Sequence, residues 1–200
     1  MARLGVVILF ARTARIGRGK RRLARDIGDI AAWQFYHGAL GRSARIVARE
    51  AGWRGLIVID PPTAVARPGS PLGHGPAARI ARAPQQGRDL GERMLRALRR
   101  APPGPVVLIG ADIPDLSIHA LRRALLACRG ADLVFGPATD GGFWLFGCKR
   151  ALGLRLLEGV PWSSPTTLEA AIARAPKAWR VRLVDRLADV DNFADLPTRA

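Results

Sequence analysis

Four short segments of this 200-residue chain gather residue types that handle phosphate or cations. The first is Gly17-Arg18-Gly19-Lys20-Arg21-Arg22, which lies between an apolar run and a helical stretch. Glycines let a backbone approach an anion closely, a helix start offers unpaired N–H groups, and lysine and arginine neutralise a diphosphate. The spacing fits neither a Walker A loop nor the dinucleotide fingerprint, and a solvated basic turn is the competing reading. The second is Gly110-Ala111-Asp112-Ile113-Pro114-Asp115-Leu116. A buried strand that runs into Asp112 sets that carboxylate at the carboxyl edge of a sheet, where ligands of open α/β sheets collect. There it can hold Mg²⁺ or Mn²⁺ against phosphate oxygens. Asp115 reads better as a helix cap.

The third segment contains Asp140-Gly141-Gly142-Phe143-Trp144. Asp-Gly between two strands is a hairpin signal, although the paired glycines beside a carboxylate and aromatics would also admit a sugar or nucleoside ring. The fourth runs from Asp185 to Asp195 and includes Asp189 and Asp191. A solvated acidic turn is its default reading. A second metal-binding carboxylate is the sharper one, because Asp112 alone would hold a cation poorly. His37, His74 and His119 form no metal spacing, and Cys128 and Cys148 are too few for a disulfide framework. No nucleophile elbow is present.

The elements that must position these residues follow from hydrophobic patterning. Leu4–Phe10, Gly55–Asp60 and Val106–Ile109 are continuous apolar runs, as expected of strands buried on both faces. Pro61-Pro62 stops the second, and a Pro- and Gly-rich loop with a short strand near Ala78–Ala83 follows. One long helix is expected from about Arg22 to Arg49, with Leu23, Ile27 and Ile30 inward and Gly38 and Gly41 weakening its end. Arg88–Arg100 reads as a helix with Leu90, Met94 and Leu98 on one side. Ser117 caps another, with Leu121, Leu125 and Cys128 inward. Strands Ala131–Phe135 and Phe143–Gly147, a helix Pro165–Arg174 and a strand Val181–Val184 complete the pattern. Strands alternating with helices imply a mostly parallel sheet covered on both faces.

Composition narrows the class. Forty-eight per cent hydrophobic residues supply a core and exclude a disordered chain. The longest apolar run is far short of the ~18 residues a membrane span needs. Arg12 to Arg22 crowd directly behind the first apolar run, which opposes export and leads to the expectation of a cytoplasmic protein. Net charge is +16, but residues 1–104 carry 20 basic and 6 acidic residues, net +14, while the remainder carries only +2. A basic half facing the half with most carboxylates suits an anionic ligand between them. Nucleic acid is the weaker alternative, since no basic stripe interleaved with aromatics runs along the chain.

Taken together, the segments resemble a bacterial family of glycosyltransferase-like proteins, the radical-SAM/selenodomain-associated or arsenosugar-biosynthesis transferases of the nucleotide-diphospho-sugar transferase (GT-A) superfamily. They are also similar to 2-phospholactate guanylyltransferase and the molybdenum-cofactor nucleotidyltransferases. The matching residues are collinear: Gly17, Lys20, Arg22 and Leu23; Asp89 to Met94; Gly110, Asp112, Pro114 and Leu116; Gly136-Pro137; Asp140 to Gly142; Pro161 to Ser163; and Asp189-Val190-Asp191 with Asp195-Leu196. Arg21, Ala111, Phe143 and Asn192 stand where that family has Thr, Ser, Tyr and Thr.

The resemblance implies a single-domain three-layer α/β/α sandwich of GT-A type over residues 1–200, with a mostly parallel mixed sheet. It implies Mg²⁺ or Mn²⁺ between Asp112 and Asp191, with Gly17, Lys20 and Arg22 around a nucleotide diphosphate. Asp140, Gly141, Gly142 and Phe143 would lie on the sugar or acceptor side. The expected activity is a metal-dependent transferase using an NDP-sugar and a small-molecule acceptor. A nucleotidyltransferase using an NTP, and a catalytically silent nucleotide-binding relative, are the alternatives.

Overall fold

The computed structural model describes residues 4–49, 52–61, 72, 75–149, 152–190 and 192–196. Within them the chain forms β1 (Gly5–Arg12), α1 (Arg21–Ile27), α2 (Asp29–Ala48), β2 (Trp53–Asp60), β3 (Ala81–Pro84), α3 (Leu90–Arg99) and β4 (Val106–Ile109). It continues through α4 (Ile118–Gly130), β5 (Leu133–Pro137), β6 (Phe143–Cys148), α5 (Thr167–Ala173) and β7 (Val181–Leu183). Short 3₁₀ turns cover Gly75–Arg79 and Phe193–Asp195.

The seven strands make one sheet in the order β3-β2-β1-β4-β6-β5-β7. β1 pairs in parallel with both β2 and β4, while β6 is antiparallel to its neighbours β4 and β5. Alternate residues of β1 point to opposite faces. Val7 and Leu9 meet α2 and α4 residues such as Leu40, Ala44, Leu121 and Leu125. Val6 and Ile8 meet α3 through Met94, Leu95 and Leu98. The sheet is thus covered on both faces, which is why its central strands are apolar on both sides.

After β1 the chain turns toward β2, and after β4 it turns toward β5 and β6. Between β1 and β4 the sheet has its topological switch point, whose carboxyl-end crevice is where such sheets bind ligands. Leu9 is level with Ile109. Arg12 and Asp112 therefore lie three residues beyond the same rung on either side of that crevice.

Three local expectations need correcting. The stretch expected as one helix is two, broken at Gly28, whose N–H closes α1 on the Ala24 carbonyl. α2 then runs through Gly38 and Gly41, and Gly41 is buried. Ile30, expected inward, is 63% exposed, because the break turns the start of α2 away from the core. Asp115 is not the cap of α4: Ser117 accepts from the Ala120 N–H at 3.2 Å and fills that role alone.

Candidate functional site

The loop from β1 to α1 carries the basic segment. Arg18 N–H donates to the Arg15 carbonyl, and Gly17 and Gly19 take φ of 72° and 87°, which folds the loop back on itself. Lys20 precedes α1 in a left-handed conformation (φ 44°, ψ 42°), which costs a non-glycine residue about 1–2 kcal/mol. Its Nζ makes an ion pair with Asp112 Oδ2, the two side chains being 10% and 21% exposed. Ser163, at φ 58°, is the other non-glycine residue with positive φ among the described residues. Both Lys20 and Ser163 line one cleft, and strained backbone is known to gather at ligand sites.

That cleft encloses about 600 Å³. Arg12, Arg15, Arg18, Lys20, Arg21 and Arg22 face it against the carboxylates of Asp60 and Asp112. Arg15 Nε is buried and has no hydrogen-bond partner among the described residues. A buried unpaired donor costs about 1–3 kcal/mol, a cost that any acceptor entering the cleft, a water or an anion, would relieve.

Tyr36 of α2 holds the end of β1 in place. Its hydroxyl accepts from Arg12 N–H at 3.0 Å and donates to the Arg12 carbonyl at 3.1 Å. Burial pushes the phenol up to about 12, opposed by the hydrogen bond from Arg12, with the nearby Asp112 charge adding to the rise. The phenol therefore stays neutral at any physiological pH.

A second cleft of about 520 Å³ adjoins the first, and Arg12, Tyr36 and Asp112 line both. Its far wall is the start of α3. Asp89 caps that helix by accepting from Glu92 N–H at 2.8 Å. Glu92 binds Arg88 through one carboxylate oxygen and Arg96 through the other, and these bonds, the Arg88 side chain first, hold its carboxyl down to about 2. The Asp-Leu-Gly-Glu-Arg-Met segment is thus a framework for the cleft wall. Leu90, expected to face the core, is 40% exposed and lines this cleft.

Of the sequence-predicted residues, Lys20 and Asp112 are in contact, and Arg22 lines the same cleft. Gly17 lies in a small adjoining recess beside Gly19 and Lys20. Asp140, Gly141, Gly142 and Phe143 lie at the β5–β6 hairpin and are not among the lining residues of either cleft. Asp140 Oδ1 accepts from Gly142 N–H at 2.8 Å, and Gly141 (φ 86°) sits so near Pro165 that a Cβ would lie 2.0 Å from its carbonyl oxygen. Phe143 packs with Phe135, Phe146 and Trp162.

Asp191 and His74 lie outside the described residues. Val190, next to Asp191 in sequence, is fully buried with Leu23 and Ala32. Asn192 and Asp195 form a reciprocal cap, so Asn192, noted above as a departure from the family pattern, has a structural role. Asp60, Tyr36 and Arg15 were not anticipated. Asp60 ends a buried strand just as Asp112 follows one, a signal that could have found it; Tyr36 gives none, its partner being a backbone 24 residues away.

Among the described residues no helix is long and apolar enough to cross a membrane. None of them form a cluster of three metal-ligating side chains. A comparison with curated proteins finds no match. Among solved structures, a Desulfovibrio desulfuricans G20 protein provisionally named a nucleotide-diphospho-sugar transferase is 27% identical, with TM-score 0.82 over 96% of this chain and 84% of that one. A nucleotidyl transferase from Methanothermobacter shares the fold at 14% identity and TM-score 0.59, over 96% and 94% of the two chains. So does Rv0371c of Mycobacterium tuberculosis H37Rv, in a complex with manganese, at 18% identity and TM-score 0.54, over 98% and 96%. The three-layer mixed-sheet architecture expected from sequence is the one these proteins share. The profile of the family described as "Uncharacterized protein conserved in bacteria (DUF2064)" matches residues 44–164, more than half of the sequence, and the chain belongs to that family.

Proposed function

We propose that the chain is a metal-dependent transferase that takes a nucleotide-activated substrate, with an NDP-sugar as the donor. The observation that carries this reading is the Lys20–Asp112 pair at the switch point, inside a cleft with six basic side chains and two carboxylates. Departure of a nucleoside diphosphate builds negative charge on its oxygens, and preplaced cations stabilise that charge without rearranging. Lys20 and Arg22 would hold the diphosphate, with Gly17 letting the backbone come near. Arg15 Nε supplies a donor that a phosphate oxygen would satisfy.

The donor set suits a hard divalent cation. Asp112 offers a carboxylate at the cleft, and Mg²⁺ is typically bound by one or two carboxylates plus substrate phosphates. Asp112 would be one ligand and Asp191 the second. Bound there, the cation would act as a Lewis acid on the phosphate oxygens. The manganese complex of Rv0371c supports this choice of ion. Asp140, Gly141, Gly142 and Phe143 would then serve the acceptor side.

Nucleotidyl transfer is the second reading, favoured by the excess of cations in the first cleft, which suits a triphosphate, and by the likeness to the Methanothermobacter enzyme. The two leave different products, NDP or pyrophosphate. A thermal-shift screen of NTPs and NDP-sugars with and without Mn²⁺ tests the site, since a ligand that binds only the native state raises Tm. Asp112→Ala should abolish the metal-dependent part of the shift, and persistence of that part would refute the assignment. Assays for NDP and for pyrophosphate then separate the two reactions.

A further inference from the structure

The two helices on one face of the sheet present charge of a single sign. α2 leads from β1 back to the start of β2, and α4 leads from β4 back to the start of β5. These four strands all point the same way, so the helices run side by side in one direction over Val7 and Leu9. The outer stripe of α2 holds Arg42, Arg45 and, at its C-cap, Arg49. Steps of three and four residues place them on one side of the helix. The outer stripe of α4 is His119, Arg122, Arg123, Leu126 and Arg129. All of these residues are exposed. Arg54 and Arg79 extend the cationic surface past the end of α2, across a groove of about 970 Å³ walled by Val47 and Ala48.

Carboxylates are scarce on these two helices. α4 has none, and α2 has only Asp29, at its first residue and thus at the cleft end. Asp115, exposed just before α4, lies at the same end. Asp185 clasps Arg123 through both carboxylate oxygens at 2.7–3.2 Å. The opposite face answers cation with carboxylate: Glu92 binds Arg88 and Arg96, Asp60 lies near Arg93, and Glu158 near Arg155. Within the α4 row, Leu126 is 49% exposed. A phosphate backbone gains nothing from a large apolar side chain among arginines. A bilayer does, because such a side chain enters the boundary between headgroups and acyl chains.

We infer that the α2–α4 face docks on an anionic lipid bilayer, its arginines against the headgroups and Leu126 below them. Two helices side by side on a sheet form a flat face, and a bilayer meets both crests at once. The inference stands apart from the nucleotide reading above, because none of the arginines on the two crests lines either cleft. The first cleft, at the carboxyl ends of the strands, would open along the membrane and stay accessible to soluble ligands.

The test is cosedimentation of the full chain with vesicles of phosphatidylcholine, alone or mixed with an equal part of phosphatidylglycerol. Binding should be about tenfold or more tighter to the mixed vesicles and should fall as salt is raised. Arg45→Gln combined with Arg129→Gln should weaken it about ten- to thirtyfold, roughly fivefold for each charge. Arg99→Gln combined with Arg155→Gln removes the same charge from the opposite face and should cost less than about twofold. Cys128 and Cys148 are buried, so a polarity-sensitive dye on Leu126→Cys reports that position alone. Its emission should shift to the blue on the mixed vesicles. Equal binding to the two vesicle types, equal losses in the two double variants, or a dye that stays in water overturns the proposal. Duplex DNA of mixed sequence bound more tightly than the vesicles, and released by the first double variant, would give the face to nucleic acid and overturn it too. Inorganic tripolyphosphate should bind the cleft alike with and without vesicles, so a failure of the phosphate site shows separately. The vesicle comparison uses only the unmodified chain, so a poorly folding variant does not blunt it.

Discussion

Lys20 and Asp112 meet as an ion pair above the gap between β1 and β4, Lys20 from the loop that leads into α1 and Asp112 from the turn that follows β4. The pair makes Asp112 a competitor of phosphate for the lysine. Asp112→Asn should therefore tighten tripolyphosphate binding several-fold without metal and lose the gain that Mn²⁺ confers on the wild type. Lys20→Ala should weaken binding about ten- to a hundredfold in both conditions, the worth of one charge-assisted hydrogen bond. Calorimetry with and without the ion reads both.

Arg15 offers a trade-off between stability and binding. Its buried Nε has no partner among the described residues, so Arg15→Met should stabilise the ligand-free protein by about 1 kcal/mol. The same change should weaken tripolyphosphate binding. A lowered Tm in the absence of ligand would contradict the first half.

Tyr36 is the single tyrosine of the chain, so phenolate absorbance reports it alone. Native protein should ionise near 12, against the ordinary value of 10 once unfolded. Because the folded value is raised, the neutral phenol's contribution to stability is complete below pH 10 and disappears as pH rises through about 12. A native midpoint near 10 would mean that the phenol is not enclosed.

Glu92 has the opposite sign. With its carboxyl held at about 2 instead of 4.5, its contribution is present above pH 4.5 and fades as pH falls through about 2. Wild type should be more stable than Glu92→Gln at neutral pH, and the gap should shrink steadily below pH 4.5. Chemical denaturation across that range checks it.

Gly141→Ala places a methyl group 2.0 Å from the Pro165 carbonyl oxygen at a φ of 86°. A cost of about 1–3 kcal/mol follows, seen as a Tm loss of roughly 3–10 °C. Binding of tripolyphosphate at low temperature should survive, because the hairpin is not part of the basic cleft.

The fold was largely written in local patterns: apolar runs for β1, β2 and β4, the Ser117 cap, and the Asp-Gly turn before β6. Asp112 was legible for the same reason, since the end of a buried strand is visible in sequence, and Lys20 because glycines and cations crowd together before a helix. What escaped depends on distant partners. Tyr36 answers to the backbone of Arg12, Gln85 to two strands, and Leu90 faces a cleft where its helical spacing pointed to a core. The break at Gly28 was hidden because apolar residues continue on both sides of it.

Val190 is buried in one cluster with Leu23 and Ala32, so a segment far along the sequence buttresses the helix that opens directly after Lys20. During synthesis that helix has α2 beside it but lacks the Val190 contact until residue 190 has left the ribosome. Fragments halted earlier would carry every arginine of the basic loop yet lack the support beneath it. Proteolytic cleavage before residue 190 would likewise be felt at the start of α1.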